Sequence, residues 1–294
     1  MTTWKGKTRG GAFGYLFFIF LIKKCGITAA YAFLSTIVLY FIPFAPKATK
    51  SIWRYSRKIL KRGFFGSVDM LFKNYYRLGQ ILIDKVAIGN GMEDKYNFHF
   101  ENYEQFLDIL NSKTGVIIIG AHVGNWEIGT PFFDDYGKKI NVVLYDAEYQ
   151  KIKEILQKNT KTADFKVIPV NKDDLSHVFA IKDALDEKEY VCFQGDRYLD
   201  KERTIACQFM GEKALFPSGL FLLAARMNVP VVFYFAMREP RKTYRFHFMF
   251  ASGTEKLRGK EAEKALLEQY AAALEGVIGK YPEQWFNYYD FWGN

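Results

Sequence analysis

At 294 residues the chain is long enough for one large or two modest domains with a sizeable core. It carries a formal net charge of +9 and is 18% aromatic, with the aromatics grouped among aliphatics in long apolar runs. That grouping favours an anionic membrane surface over nucleic acid as the partner of a basic chain. Three scattered cysteines, Cys25, Cys192 and Cys207, argue against a disulfide framework and fit a reducing compartment. The four histidines, His99, His122, His177 and His247, show no zinc-ligand spacing, so no metal is expected.

Residues 1–62 differ from the rest and read as a membrane-associating helical segment. Residues 14–22 form an apolar run too short to span a bilayer. After Lys23 and Lys24, residues 26–45 carry no charge for twenty residues, about the length of a spanning helix. Pro43 and Pro46 are expected to terminate that helix. A basic cluster follows: Lys47, Lys50, Arg54, Arg57, Lys58, Lys61 and Arg62. Both flanks of the apolar stretch are basic, so a helical hairpin or an interfacial helix pair fits as well as a single crossing. No signal-peptide cleavage site follows the apolar runs.

Residues 63–294 read as an α/β domain. Up to about residue 100 the pattern is helical, with an apolar stripe at Phe65, Met70, Leu71, Tyr75, Leu78 and Leu82. Lys73, Arg77 and Lys85 lie among them and read as exposed bases without partners. Strands and helices then alternate. Helices are expected over 103–111, after Asn125, over 147–158, 175–185, 217–227 and 256–280. Strands are expected over 116–119, 140–145, 166–170, 190–194, 229–235 and 244–250, the last at a sheet edge or on a half-exposed face. The order implies a mixed, largely parallel sheet flanked by helices.

Val116-Ile-Ile-Ile119 is an unbroken β-branched run and reads as a strand buried on both faces. Gly120 ends it, His122 follows, and Glu127 comes five residues after the histidine. That pair fits a general base with its orienting carboxylate, and equally a packed histidine beside a helix-capping glutamate. Spacing alone does not choose between them. The strand ending at Phe193 is followed by Gln194-Gly-Asp-Arg-Tyr198, so Asp196 and Arg197 would emerge beside His122 if the two strands are parallel. An Arg there suits a phosphate or developing oxyanion charge; the plainer reading is a surface ion pair. Ser218 near a helix start reads as a packing serine, and no nucleophile elbow, Walker loop or dinucleotide fingerprint is present. The tail, Tyr281-Pro-Glu-Gln-Trp-Phe-Asn-Tyr-Tyr-Asp-Phe-Trp292, is too aromatic to be left in solvent and is expected to pack onto the domain or lie at a membrane interface; Glu283 and Gln284 could help close the site, and the plainer reading of each residue there is an anchor for the terminus.

Ala121-His-Val-Gly-Asn-Trp-Glu127 resembles the His-x4-Asp/Glu block of the lysophospholipid acyltransferase superfamily. In its longer form it is similar to the late acyltransferases of lipid A biosynthesis. Pro282-Glu-Gln-Trp-Phe286, Met210-Gly-Glu-Lys-Ala-Leu-Phe-Pro-Ser-Gly219 and Val229-Pro-Val-Val232 resemble further blocks of that family. The tail after Asn287 and the opening around Trp4 depart from it, and look more like a branch associated with aryl-polyene acyl lipids. The resemblance implies a bacterial inner-membrane enzyme on the cytoplasmic face, with His122 and Glu127 catalytic and Asn125, Asp196 and Arg197 binding substrate. It implies no cofactor, an acyl carrier protein or acyl-CoA as donor, and a lipid acceptor. The apolar helix around 215–227 would wall an acyl channel. A binding-only acyl-lipid protein and a lipid hydrolase stand as the rival classes.

Overall fold

The computed structural model describes residues 11–129, 138–145, 165–170, 175–198, 201–254 and 257–292. The expected helix over 147–158 lies outside them. Seven strands form one sheet: β1 (Asn97–Glu101), β2 (Val116–Gly120), β3 (Ile140–Tyr145), β4 (Phe165–Val170), β5 (Tyr190–Gln194), β8 (Val231–Glu239) and β9 (Thr243–Phe250). Their order is β1-β9-β8-β2-β5-β3-β4, and only the β8–β9 hairpin is antiparallel. Between β5 and β8 a separate two-stranded ribbon is made by β6 (Thr204–Phe209) and β7 (Glu212–Pro217). The mixed, largely parallel sheet is as the sequence implies.

The charge-free run of β2 explains its place. All five of its residues are buried, and it lies between β8 and β5 at the centre of the sheet. The helices are α1 (Gly11–Phe44), α2 (Pro46–Arg54), α3 (Phe64–Ile88), α4 (Tyr103–Leu110), α5 (Ser176–Asp186), α6 (Ser218–Arg226) and α7 (Gly259–Lys280). α7 buries Leu266, Tyr270, Leu274 and Val277, the side its periodicity marks.

Several expectations are corrected. The helical reading up to residue 100 stops at Ile88, and 97–101 form a strand beside β9, because the alternation Asn97-Phe-His-Phe-Glu101 has period two. That added strand moves β9 off the sheet edge, and most of it is buried. The ribbon β6–β7 is a further element, outside the strands expected from the sequence. Pro43 does not end its helix; it sits inside the last turn, where it forfeits one bond, to the carbonyl of residue 39, and Pro46 opens α2 at its first positions, where a missing N–H costs least.

Phe17–Phe44 is, among the described residues, the one helical stretch long and apolar enough to cross a membrane. It is not one rod. Gly26 has φ +84°, a left-handed conformation closed to most residues, and breaks the helix there. The rings of Phe17 and Phe33 lie 5.2 Å apart, whereas sixteen residues of continuous helix would separate them by about 24 Å. α1 is therefore a helical hairpin with its tip at Gly26.

The second arm buries Ile27, Ala30, Leu34 and Val38 at helical spacing, with Leu34 seated against Gly79 of α3. Tyr31 of this arm hydrogen-bonds the carboxylate of Asp84, which is fully buried on α3. Asp84 also accepts from Arg238 Nε (2.8 Å), Tyr244 (2.6 Å) and Tyr96 (3.0 Å). One buried carboxylate thus joins the hairpin, α3 and the sheet, with all its neighbours donating to it. Such a network is costly to break because a lost partner leaves a buried charge unmatched.

Candidate active site

Parallel pairing of β2 with β5, in register from Val116↔Tyr190 to Gly120↔Gln194, brings His122 and Asp196 out of the sheet at the same edge. Gly195 N–H donates to the Gly120 carbonyl (2.9 Å), continuing the ladder one step past the strands. His122 Nδ1 then lies 2.7 Å from Asp196 Oδ1, and the His122 backbone N–H is 3.1 Å from both carboxylate oxygens. Trp285 Nε1 donates to Asp196 Oδ2 at 3.2 Å, and the Tyr289 hydroxyl donates to the Asp196 carbonyl at 2.9 Å.

Asp196 is 1% exposed. Burial pushes its carboxyl up, but attraction and hydrogen bonding from His122, with Arg197 beside it, outweigh burial and hold it down at about 2. It is a carboxylate at any physiological pH. A carboxylate accepts only, so Nδ1 carries the proton and the neutral imidazole presents its lone pair on Nε2. The His122 side chain is a quarter exposed while Asp196 is sealed behind it.

The loop after β2 needs its glycine. Gly124 has φ +54°, and a Cβ there would stand 2.1 Å from the Ala236 carbonyl oxygen. The C-terminal tail holds the same loop from the other side. Val123 bridges Trp285, Phe286 N–H donates to the His122 carbonyl (2.9 Å), and Gly124 N–H to the Gln284 carbonyl (3.0 Å). Gln284 in turn accepts from Arg238 N–H (2.9 Å) and donates to the Arg238 carbonyl (2.6 Å). The aromatic tail is packed on the domain, with Trp285, Phe286 and Phe291 buried.

The other candidates fall as follows. Glu127 sits in a short 3-10 turn, Trp126–Gly129, and its carboxylate pairs with Lys85 of α3. The carboxylate at His122 Nδ1 is Asp196, because the turn after β2 carries residue 127 toward α3 while β5 delivers residue 196 beside the ring. Asn125 is buried, its N–H donating to the Ala236 carbonyl (2.8 Å), with its side chain next to the Tyr244 hydroxyl. Arg197 donates to the Phe286 carbonyl (3.1 Å), and its Nε is buried with no hydrogen-bond partner among the described residues. Ser218 donates to Glu263, a packing role. Lys85, Lys73 and Arg77 are not solitary: they pair with Glu127, Asp69 and Glu283.

Sequence reasoning missed Trp285 and Tyr289 as partners of Asp196; only the density of aromatics in the tail signalled them. Behind Gly120 lies a cavity of about 20 Å³ lined by Ile118, Trp126, Ile140, Cys192, Gln194 and Tyr234. Burial in this apolar setting pushes the Cys192 thiol up to about 12, so it stays protonated. A larger cleft of about 310 Å³ opens between α2 and the tail, at Arg54, Tyr55, Lys58, Trp285 and Tyr289. α6, the expected wall of an acyl channel, lines neither. Among the described residues no group of three or more His, Cys, Asp and Glu side chains is placed to hold a metal ion.

A His–carboxylate pair thus stands at the ends of central parallel strands on an α/β scaffold that carries an apolar N-terminal segment. The chain belongs to the bacterial lipid A biosynthesis acyltransferase family, whose pattern it matches over residues 8–292. It is accordingly an acyltransferase, and the family points to a lipid substrate. No curated protein matches the chain.

Proposed function

We propose that the protein transfers a fatty acyl group from an acyl thioester, carried by acyl carrier protein or coenzyme A, to a hydroxyl of a lipid at the membrane surface. The observation that carries this reading is the 2.7 Å contact between His122 Nδ1 and a buried, ionised Asp196. His122 Nε2 takes the proton of the acceptor hydroxyl as its oxygen attacks the thioester carbonyl carbon. The tetrahedral intermediate collapses with cleavage of the C–S bond, and the imidazolium returns the proton to the departing thiolate. Asp196 holds the tautomer and offsets the imidazolium charge, the part a carboxylate plays behind any catalytic histidine. No serine and no acyl-enzyme are required.

Glu127, with Lys85, anchors the 3-10 turn that carries Trp126 against the strand ends, and so shapes the mouth of the site. Arg197 contributes positive charge beside Asp196. Lipid A precursors, related glycolipids and aryl-polyene-type lipids are all acceptors of the right chemistry. The placement of Glu127 against α3, the helix on which the apolar hairpin lies, supports an acceptor that arrives from the membrane.

The test is incubation of the purified protein with acyl-carrier thioester, with and without a hydroxylated lipid. Thioester loss that requires the lipid is the expected result. Loss without the lipid would make the protein a hydrolase, and no loss in either arm would leave it a binding protein.

A further inference from the structure

We propose that the apolar N-terminal segment enters a single leaflet as a hairpin lying parallel to the membrane plane, with both ends and the tip on the catalytic domain's side. It does not cross the bilayer. This deepens the membrane-associated reading above, and it starts from the fold of α1. The second arm, residues 27–44, is about 27 Å long and the first, residues 11–25, about 22 Å, and both fall short of a hydrocarbon core of about 30 Å. The tip itself is charged: Lys23 and Lys24 precede Gly26, and residues 23–26 are exposed.

The orientation follows from what the hairpin is packed on. Ile27, Ala30, Leu34 and Val38 face α3, and Tyr31 enters the Asp84–Arg238 network. If the arm stood upright in a bilayer, α3 alongside it would stand upright too. The half-exposed Lys73–Asp69 and Lys85–Glu127 pairs of α3 would then lie at different depths along it, some in hydrocarbon. Charged groups facing lipid at such depth are not tolerated.

The outward face is built for one leaflet. Opposite the buried stripe, Phe33, Leu39, Tyr40 and Phe44 are exposed with no charge among their neighbours on that face. A helix facing water there would carry charged residues. Phe64, Phe65 and Val68, at the start of α3, form a second exposed apolar patch, and Phe65 is 86% exposed. Trp53 of α2 extends the second patch by its edge contact with Phe64. Along the chain between them, the exposed Lys47, Lys50, Arg57, Lys58 and Lys61 supply the cations for anionic headgroups, Arg54 being paired with Asp290.

Cys25, an exposed free cysteine at the tip, reports the topology directly. The full chain is bound to the outside of sealed vesicles of zwitterionic phospholipid containing phosphatidylglycerol. A membrane-impermeant maleimide is then added outside, or trapped inside beforehand, and the modified cysteine is found by peptide mass spectrometry. Labelling of Cys25 from outside only is the expected result. Labelling from inside, or protection from both sides, overturns the proposal. In the same vesicles Phe64→Ser with Phe65→Ser should lower binding by roughly tenfold or more, since burying one Phe is worth about that factor. Unchanged binding, or a stable dimer that ignores vesicles, also overturns it. Acyl transfer plays no part in these readouts, so the topology and the chemistry fail separately.

Discussion

Replacing Asp196 by Asn keeps the shape of the side chain and removes its charge and one acceptor. In the wild type one carboxylate oxygen takes His122 Nδ1–H, both lie near the His122 backbone N–H, and the second takes the Trp285 indole N–H. An amide presents one oxygen, so its NH2 must face either the imidazole or the indole. Facing the imidazole, it forces Nδ1 to accept and moves the ring proton to Nε2, where the base lone pair is needed. Facing the indole, it spares the tautomer but leaves the imidazolium unneutralised. Either way the loss in kcat should approach the worth of general-base catalysis, roughly 10²–10⁴-fold, or about 3–5 kcal/mol of barrier. The depression of the Asp196 carboxyl from 3.8 to about 2 despite full burial corresponds to roughly 2.5 kcal/mol in favour of its charge, in line with the lower end.

The same substitution carries a stability signature. Asp196 has a folded value below its unfolded one, so its contribution is present above about pH 4 and is lost as pH falls through about 2. Urea unfolding of Asp196→Asn should therefore lack roughly 2 kcal/mol of the wild type's loss across that window. The kinetic assay is thioester-dependent acyl transfer by folded protein, with ¹⁵N spectra of His122 reporting the tautomer. A folded Asp196→Asn enzyme within about threefold of wild-type kcat would refute the orienting role, because even weak general-base help exceeds that.

Asp84→Ala removes the carboxylate that Arg238 meets at 3% exposure, and should destabilise by about 3–5 kcal/mol in urea unfolding. Gly124→Ala should cripple acyl transfer with the sheet intact, since its Cβ would collide with the Ala236 carbonyl and displace the His122 loop; full activity would deny that the loop's conformation matters. Lys85→Ala and Glu127→Ala should each lower transfer, and the double variant should cost little more than the worse single one. Strictly additive losses would show the pair to be uncoupled.

The sheet was legible where physics is local. A charge-free β-branched run such as Val116–Ile119 has few alternatives to a central strand, and its exit marked His122. The site's second half was legible only as a condition, that β2 and β5 be parallel neighbours, because strand pairing is decided by contacts far apart in sequence. Asp196 was found in this way, but its partnership with His122 was not, since Glu127 was nearer along the chain and nothing in the spacing showed the turn carrying it to Lys85. The strand at Asn97 was hidden by the long helix before it, and β6–β7 by the apolar blocks around it. The hairpin at Gly26 turned on one backbone angle that no apolar count contains. The tail's aromatic excess gave away burial but not its target, the far side of Asp196.

The central claim is that His122 removes the acceptor's proton, and the most direct measurement is transfer by His122→Ala. The purified variant, shown folded by its unfolding curve and still bound to phosphatidylglycerol-containing vesicles, is given acyl thioester and hydroxylated lipid beside the wild type. The account predicts acyl product from the wild type and none above background from the variant. Wild-type turnover by folded His122→Ala would contradict it.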